Sequence, residues 1–286
     1  MKSRTLTILL TLSLLAGLSA CVVFLVQNRP EQPADPPAQT QLPTAAPTVD
    51  DTPTQQATDA PTEAPTTQPT ADPTDAMLAA YQFAMQQFSF EHAYPDGSPI
   101  GFSPDNGYIE ENSFAIFDVN GDGTEELILS YITAPMAGML ESVYRYNADT
   151  DSLVPMLREF PSIGYYTGGK LLSYASHNGG LSVSVWPYTL FTYDTDTQTY
   201  AFTASVYAWE RDVTETDFEG NLYPDDVDTE GAGIVYCVTD SEGTHMLSRS
   251  AYESWYAEQM GDAALLDIPY QSASEQNIAA ICDLNG

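Results

Sequence analysis

Residues 113–132 read Ser-Phe-Ala-Ile-Phe-Asp-Val-Asn-Gly-Asp-Gly-Thr-Glu-Glu-Leu-Ile-Leu-Ser-Tyr-Ile. An acidic, glycine-bearing loop sits between two runs rich in β-branched and aromatic residues, the pattern of a β-hairpin. Within the loop, oxygen-bearing side chains fall at Asp118, Asn120, Asp122 and Glu126, and Gly121 and Gly123 let the backbone fold back over a centre. A hard cation such as Ca²⁺ takes six to eight oxygen ligands from such a loop. Three carboxylates this close repel one another unless a cation sits among them. Without one, the same residues make an Asn-Gly-Asp-Gly hairpin turn with solvated acids. The loop is not an EF-hand. Counted from Asp118, position 12 is Leu129 rather than a bidentate Glu, and the flanks read as strands.

The pattern Asp-x-Asn-x-Asp-Gly-x-x-Glu in a hairpin resembles the calcium loops of FG-GAP and integrin-type repeats. That resemblance implies a structural Ca²⁺ held by the side chains of Asp118, Asn120, Asp122 and Glu126 and by the Thr124 carbonyl.

Outward from the hairpin, Met77, Leu78, Tyr81, Met85 and Phe88 recur at helical spacing behind Asp75, a candidate cap. Strands are expected near 113–118, 126–132, 141–147, 152–157, 182–186, 188–194, 199–207 and 233–239. Ser250-Ala251-Tyr252-Glu253 and Ser272-Ala273-Ser274-Glu275 have capping-box spacing, and Gly261 can end the first of these two helices. The fold class is therefore α+β, a mostly antiparallel sheet bracketed by N- and C-terminal helices. Val143-Tyr144-Arg145-Tyr146-Asn147-Ala148-Asp149-Thr150-Asp151 is echoed by Leu190-Phe191-Thr192-Tyr193-Asp194-Thr195-Asp196-Thr197, 47 residues on. Two such units cannot close a propeller, which needs about four blades, so an open or curved sheet is expected.

Residues 1–26 read as a lipoprotein signal or membrane anchor. Lys2 and Arg4 precede an uncharged run of 22 residues from Thr5 to Val26, long enough to span a bilayer. Within it, Leu18-Ser19-Ala20-Cys21 resembles a bacterial lipobox, which implies cleavage before Cys21 and a lipid on its thiol. The apolar run continues through Val22–Val26, so an uncleaved transmembrane helix is the rival reading. In both, the basic end is cytoplasmic and the rest lies outside the cell membrane. Residues 27–75 form a Pro/Thr-rich linker with no aromatic residue, a composition expected to stay disordered and extended. About 50 such residues reach roughly 40 Å as a coil and roughly 150 Å as polyproline II. Residues 76–286 are then an extracellular β-rich globular domain. The leader, the tether, the metal loop and the Tyr-Glu-Ser-Trp helix together resemble surface lipoproteins of gut-dwelling Firmicutes, a set that implies no established activity.

Forty acidic residues against eight basic ones give a formal charge of −32. No basic surface exists to displace nucleic-acid counterions, so nucleic acid is excluded as a partner. Asp225-Asp226-Val227-Asp228 and Asp194-Thr195-Asp196 read as turns, with second cation sites as the alternative. Cys237 and Cys282 either form a disulfide, worth roughly 3–4 kcal/mol for a loop of this length, or remain buried thiols.

Catalytic signals are weak. His92, His177 and His245 have no zinc-binding spacing, and neither a nucleophile elbow nor a P-loop occurs. Tyr165, Tyr166, Trp186, Tyr188, Tyr193, Trp209 and Tyr223 are either strand core or a flat surface for stacking sugars or docking a protein. Three function classes follow. The first is a membrane-anchored, calcium-stabilised module that binds or displays a glycan, peptide or partner protein. The others are an extracellular hydrolase with unidentified catalytic residues and a structural envelope component.

Overall fold

The structure is a computed structural model and describes residues 73–285. The leader, Cys21 and nearly all of the tether lie outside the described residues. Helix α1 spans Pro73–Gln86 and continues into a π-helical turn, Gln87–Glu91. It starts three residues inside the stretch assigned to the tether, because proline is well suited to a first helical turn that has no need of its N–H.

Eleven strands follow in two antiparallel sheets. The first contains β1 (Ser113–Phe117), β2 (Glu126–Tyr131), β3 (Leu140–Asn147) and β4 (Ser152–Glu159). The second contains β5 (Ile163–Tyr166), β6 (Lys170–Tyr174), β7 (Tyr188–Asp194), β8 (Thr199–Glu210), β9 (Ile234–Asp240) and β10 (Gly243–Leu247). Helix α2 (Arg249–Met260) comes next, then a two-residue strand β11 (Gln271–Ser272) and helix α3 (Glu275–Ala279). The strand orders are β11-β1-β2-β3-β4 and β10-β9-β8-β7-β6-β5. The α+β expectation holds, with two sheets in place of one. The chain leaves the first sheet through Phe160-Pro161-Ser162, a tight turn in which Ser162 N–H donates to Phe160 O at 2.7 Å.

The 47-residue echo is structural. β1–β4 and β5–β8 are each a four-stranded meander. Their last hairpins carry register shifts at Val143/Tyr144 and Leu190/Phe191. Their turns end in left-handed residues, Asp151 (φ 47°) and Gln198 (φ 54°). Every one of these features repeats at the same offset. Within the first hairpins, Glu126 opens β2 opposite Phe117, while Lys170 opens β6 opposite Tyr166.

Side-chain alternation sorts the core into layers. Leu127 and Leu129 of β2 pack with Leu78, Tyr81, Met85 and Phe88 of the N-terminal helical segment. Ile128 points the other way, into a core shared with Val143, Leu157, Tyr165, Leu171 and Tyr200. On the far face of the second sheet, Leu172, Leu190, Val206 and Val238 meet Met260 and the rings of Tyr252, Trp255 and Tyr256. The order is helix, sheet, sheet, helix. The C-terminal segment returns to the start of the domain, where Gln82 donates to Ile278 O and Ala279 O at 3.1 and 3.0 Å.

Four local expectations change. Asp75 lies in the first turn of α1 rather than capping it, since the helix already begins at Pro73. Residues 182–186 are not a strand. The Ser182 hydroxyl donates to the Glu210 carboxylate at 2.8 Å and the Ser184 hydroxyl binds the same oxygen, which holds the segment as a loop. The cap of α2 is Ser248, which accepts from Ala251 N, because Ser250 lies inside the helix. The cap of α3 is Ser274 rather than Ser272, which is drawn into β11.

Gly169 sits in a tight spot between strand β7 of its own meander and the loop after β1. A Cβ there would lie 2.7 Å from Tyr193 Cβ and 3.2 Å from Asn120 O, whereas one on Gly168 would meet nothing within 4 Å. Both glycines have positive φ, +76° and +67° in chain order. Gly168→Ala is expected to cost about 1–2 kcal/mol for its backbone alone. Gly169→Ala is expected to cost roughly 1–3 kcal/mol more from overpacking. Urea unfolding of the two variants at matched m-values measures the difference.

Candidate metal centre

The loop 118–125 joins β1 to β2, with residues 121–125 exposed. Its backbone N–H groups turn inward onto its own acids. Asp118 accepts from Gly121 N at 2.7 Å through Oδ1 and from Gly123 N at 2.9 Å through Oδ2. Asp122 Oδ1 accepts from Thr124 N at 2.9 Å, and Asn120 Oδ1 from Asp122 N at 2.7 Å. Gly121 and Gly123 have φ of 80° and 90°, which the backward bend needs. An oxygen that accepts one N–H keeps further acceptor capacity, so these bonds aim the oxygens without consuming them.

Glu126 closes the loop from below. It is 1% exposed, at the head of a strand buried along its whole length. Its Oε2 accepts from Val119 N at 3.1 Å and its Oε1 from Asn120 Nδ2 at 2.7 Å. Asn120 Nδ2 also donates to Asp122 Oδ2 at 3.1 Å, so one amide bridges two carboxylates. Burial pushes the Glu126 carboxyl up to about 8 from its ordinary 4.5. Asp122 and Asp118 contribute smaller parts of that rise, and the Val119 N–H and the Asn120 amide oppose it.

Neighbouring elements hold the loop on both sides. Tyr81 of α1 donates to Glu125 O at 2.8 Å. From the second sheet, Tyr193 donates to Asp122 Oδ2 at 3.3 Å and Tyr200 to Val119 O at 3.2 Å. No local spacing in the sequence announces these three contacts. They come from strands and a helix far away in the chain.

The five residues of the expected ligand set, Asp118, Asn120, Asp122, Thr124 and Glu126, thus share one loop. Among the described residues, no three His, Cys, Asp or Glu groups already converge as a ligand cage. In the loop, the Asn120 Nδ2 group stands between Asp122 and Glu126. A partial positive charge at that point is the arrangement that a cation would take over. The donor chemistry fits Ca²⁺: hard oxygens, anionic, on a loop bent by glycine.

The other sequence candidates are dispersed. Cys237 is buried in β9 and Cys282 is exposed near the C-terminus, where its Sγ lies 3.3 Å from Gln82 Oε1. Both are free thiols. In this structure the two are not bonded to each other, and Cys282 is exposed rather than buried. Asp228 is buried and accepts from Ala232 N, Gly233 N and Tyr223 OH, which makes 225–228 a turn. Asp194 Oδ1 accepts from Asp196 N in the β7–β8 turn. His177 is exposed and bonded only to Ser176 Oγ, and His245 faces Asp240 at 3.5 Å. Tyr165, Tyr188, Trp209 and Tyr223 are core, so the seven aromatics do not form one surface strip. Among the described residues no helix is long and apolar enough to cross a membrane.

Comparison of the chain with protein-family models, curated proteins and solved structures finds no match.

Glu126 predicts a pH dependence for the metal-free protein. Its folded-state value lies above its unfolded value, so its stabilising contribution is complete below about pH 4.5 and is lost as pH rises through about 8. In EDTA, wild type should lose stability relative to Glu126→Gln between about pH 4.5 and about pH 8, and the difference should level off above that. Thermal melts of the two proteins across that range measure the difference.

Proposed function

We propose that this chain is a calcium-braced extracellular module, held at a membrane by its N-terminal segment, that binds or displays a ligand at its surface. The observation that carries the calcium part is the buried Glu126 carboxyl, which has only a neutral amide and one N–H to balance its charge. At neutral pH a carboxyl in that position either holds a proton or takes a cation. Asp118, Asp122 and Asn120 add oxygen donors on the same loop, and the strongly acidic chain draws cations toward it. A cation there would fasten β1 to β2 and, through Tyr193 and Tyr200, the first meander to the second.

The anchoring part rests on residues 1–26, with Cys21 as the lipidation site or the run to Val26 as a spanning helix. The tether then sets the domain off from the membrane surface. A braced domain on a long tether suits display or capture of a glycan, a peptide or a partner protein.

Calcium is tested by thermal melts of the full chain in millimolar Ca²⁺, in Mg²⁺ and in EDTA. Extracellular modules bind at about 10⁻⁴–10⁻³ M, so millimolar Ca²⁺ should raise the midpoint by ligand linkage. Asp118→Ala and Glu126→Gln should each abolish the rise. Superimposed Ca²⁺ and EDTA melts of wild type would reduce the loop to a hairpin turn. Glu126→Gln therefore acts in opposite senses, improving the metal-free protein at high pH and removing its response to Ca²⁺.

A further inference from the structure

The inner face of the first sheet changes character along its strands. Ala115, Ile128, Val143 and Leu157 stand opposite one another across β1–β4 and belong to the inter-sheet core. Two residues along, the same face carries Ser113, Ser130, Glu141 and Glu159, again paired strand to strand. This polar row lies at one end of the space between the sheets. A cleft of about 580 Å³ opens over Ser113, Ser130 and Glu141. Its other walls are β5, Tyr174 of β6, and the segment 265–270 that crosses from the second sheet toward β11. That crossing is fixed, since Leu266 N donates to Tyr165 O at 2.8 Å and Ala273 N to Asn112 O at 2.8 Å.

Glu141 is the unusual member. It is 4% exposed, yet it lines the cleft. Its Oε1 accepts from Tyr165 OH at 2.8 Å and from Tyr270 OH at 2.9 Å. No basic side chain among the described residues forms an ion pair with it. The five bases beyond residue 75 are Arg145, Arg158, Lys170, Arg211 and Arg249, and none lines the cleft. Burial pushes the Glu141 carboxyl up, against the pull of its three hydroxyl donors, Tyr165, Tyr270 and Ser130. A second carboxylate, Asp267, is exposed at the rim, and the rings of Tyr166, Tyr174 and Tyr270 form the walls. A floor carboxyl with no counter-ion, a rim carboxyl and these three lining tyrosines together make an environment for an organic cation. Ring faces attract such a cation and the carboxyl neutralises it. Carbohydrate is a poorer match, because the cleft offers no amide, imidazole or basic side chain to donate to sugar oxygens.

We infer that this cleft binds an alkylammonium group, the charged end of a free amine or of a lysine side chain, with Glu141 as its counter-ion. The inference rests on the binding reading proposed above and supplies the ligand class that reading lacks.

The test is calorimetric titration of the full chain, in saturating Ca²⁺, with 1,5-diaminopentane and with Nα-acetyl-lysine methyl amide. Saturable binding of either is expected, and the stronger of the two identifies the source as a free amine or a protein side chain. Glu141→Gln should weaken binding about tenfold or more. The uncharged Nα,Nε-diacetyl-lysine methyl amide should not bind wild type, a comparison that stands even where the variant fails to fold. Absence of saturable binding by both amines would overturn the inference. Equal binding by Glu141→Gln, by the diacetyl compound or by N-acetylglucosamine would do the same. The Ca²⁺ melt is read separately, so a chain that responds to Ca²⁺ but ignores amines fails here alone. A chain that binds amines and ignores Ca²⁺ fails only in its metal loop.

Discussion

The burial of Glu126 at the head of β2 is the constraint around which the molecule is arranged. β2 is covered on both faces, by α1 on one side and by the second sheet on the other. Its first side chain therefore cannot reach water, and only the loop before it can satisfy the carboxyl. Asn120 and the Val119 N–H do so, and their positions are set by the two positive-φ glycines and by Asp118. The loop in turn receives Tyr81 from the helix layer and Tyr193 and Tyr200 from the second sheet. One buried acid thus ties three layers of the fold to a single turn.

What was legible in the sequence follows from how local the cause is. The hairpin around 118–126 could be read because its strands alternate and its turn contains the glycines that the turn requires. The β3–β4 and β7–β8 hairpins were visible as an aromatic echo, since each needs the same strand chemistry entering the same kind of turn. β5 and β6 were missed. They are four and five residues long, too short to show alternation, and are joined through Gly168 and Gly169. Residues 182–186 looked like a strand because serine and valine alternate there, yet the serines bind Glu210 instead of forming a ladder. Two serines are candidates for the cap of α2, and both bind Glu230, so the choice rests on backbone: Ser248 is extended and Ser250 is already helical.

The polar row across β1–β4 lies at the opposite extreme. Ser113, Ser130, Glu141 and Glu159 have no spacing in common, and only strand register brings them into line. The last wall of their cleft comes from residues 265–270, which reach it after the whole second sheet has been traversed. Charge shows the same contrast. The acidity was plain from composition, but the placement of the few bases was not. Arg211 pins the 211–233 excursion through Asp225, Asp228 and the Tyr223 ring. Lys170 binds the carbonyl of Gln259 at the end of α2.

The clasp between Gln82 and the carbonyls of Ile278 and Ala279 bears on the order in which this domain can be completed. A ribosome makes α1 early, and the segment that covers it is made almost 200 residues later. Contacts of such long sequence separation form slowly, because the intervening chain must first be ordered. Until then α1 has only the first sheet to pack against, and its remaining face stays open. The finished domain is sealed by the segment around Ile278, so a chain cut before it would present the apolar seam beneath α3 to chaperones and proteases.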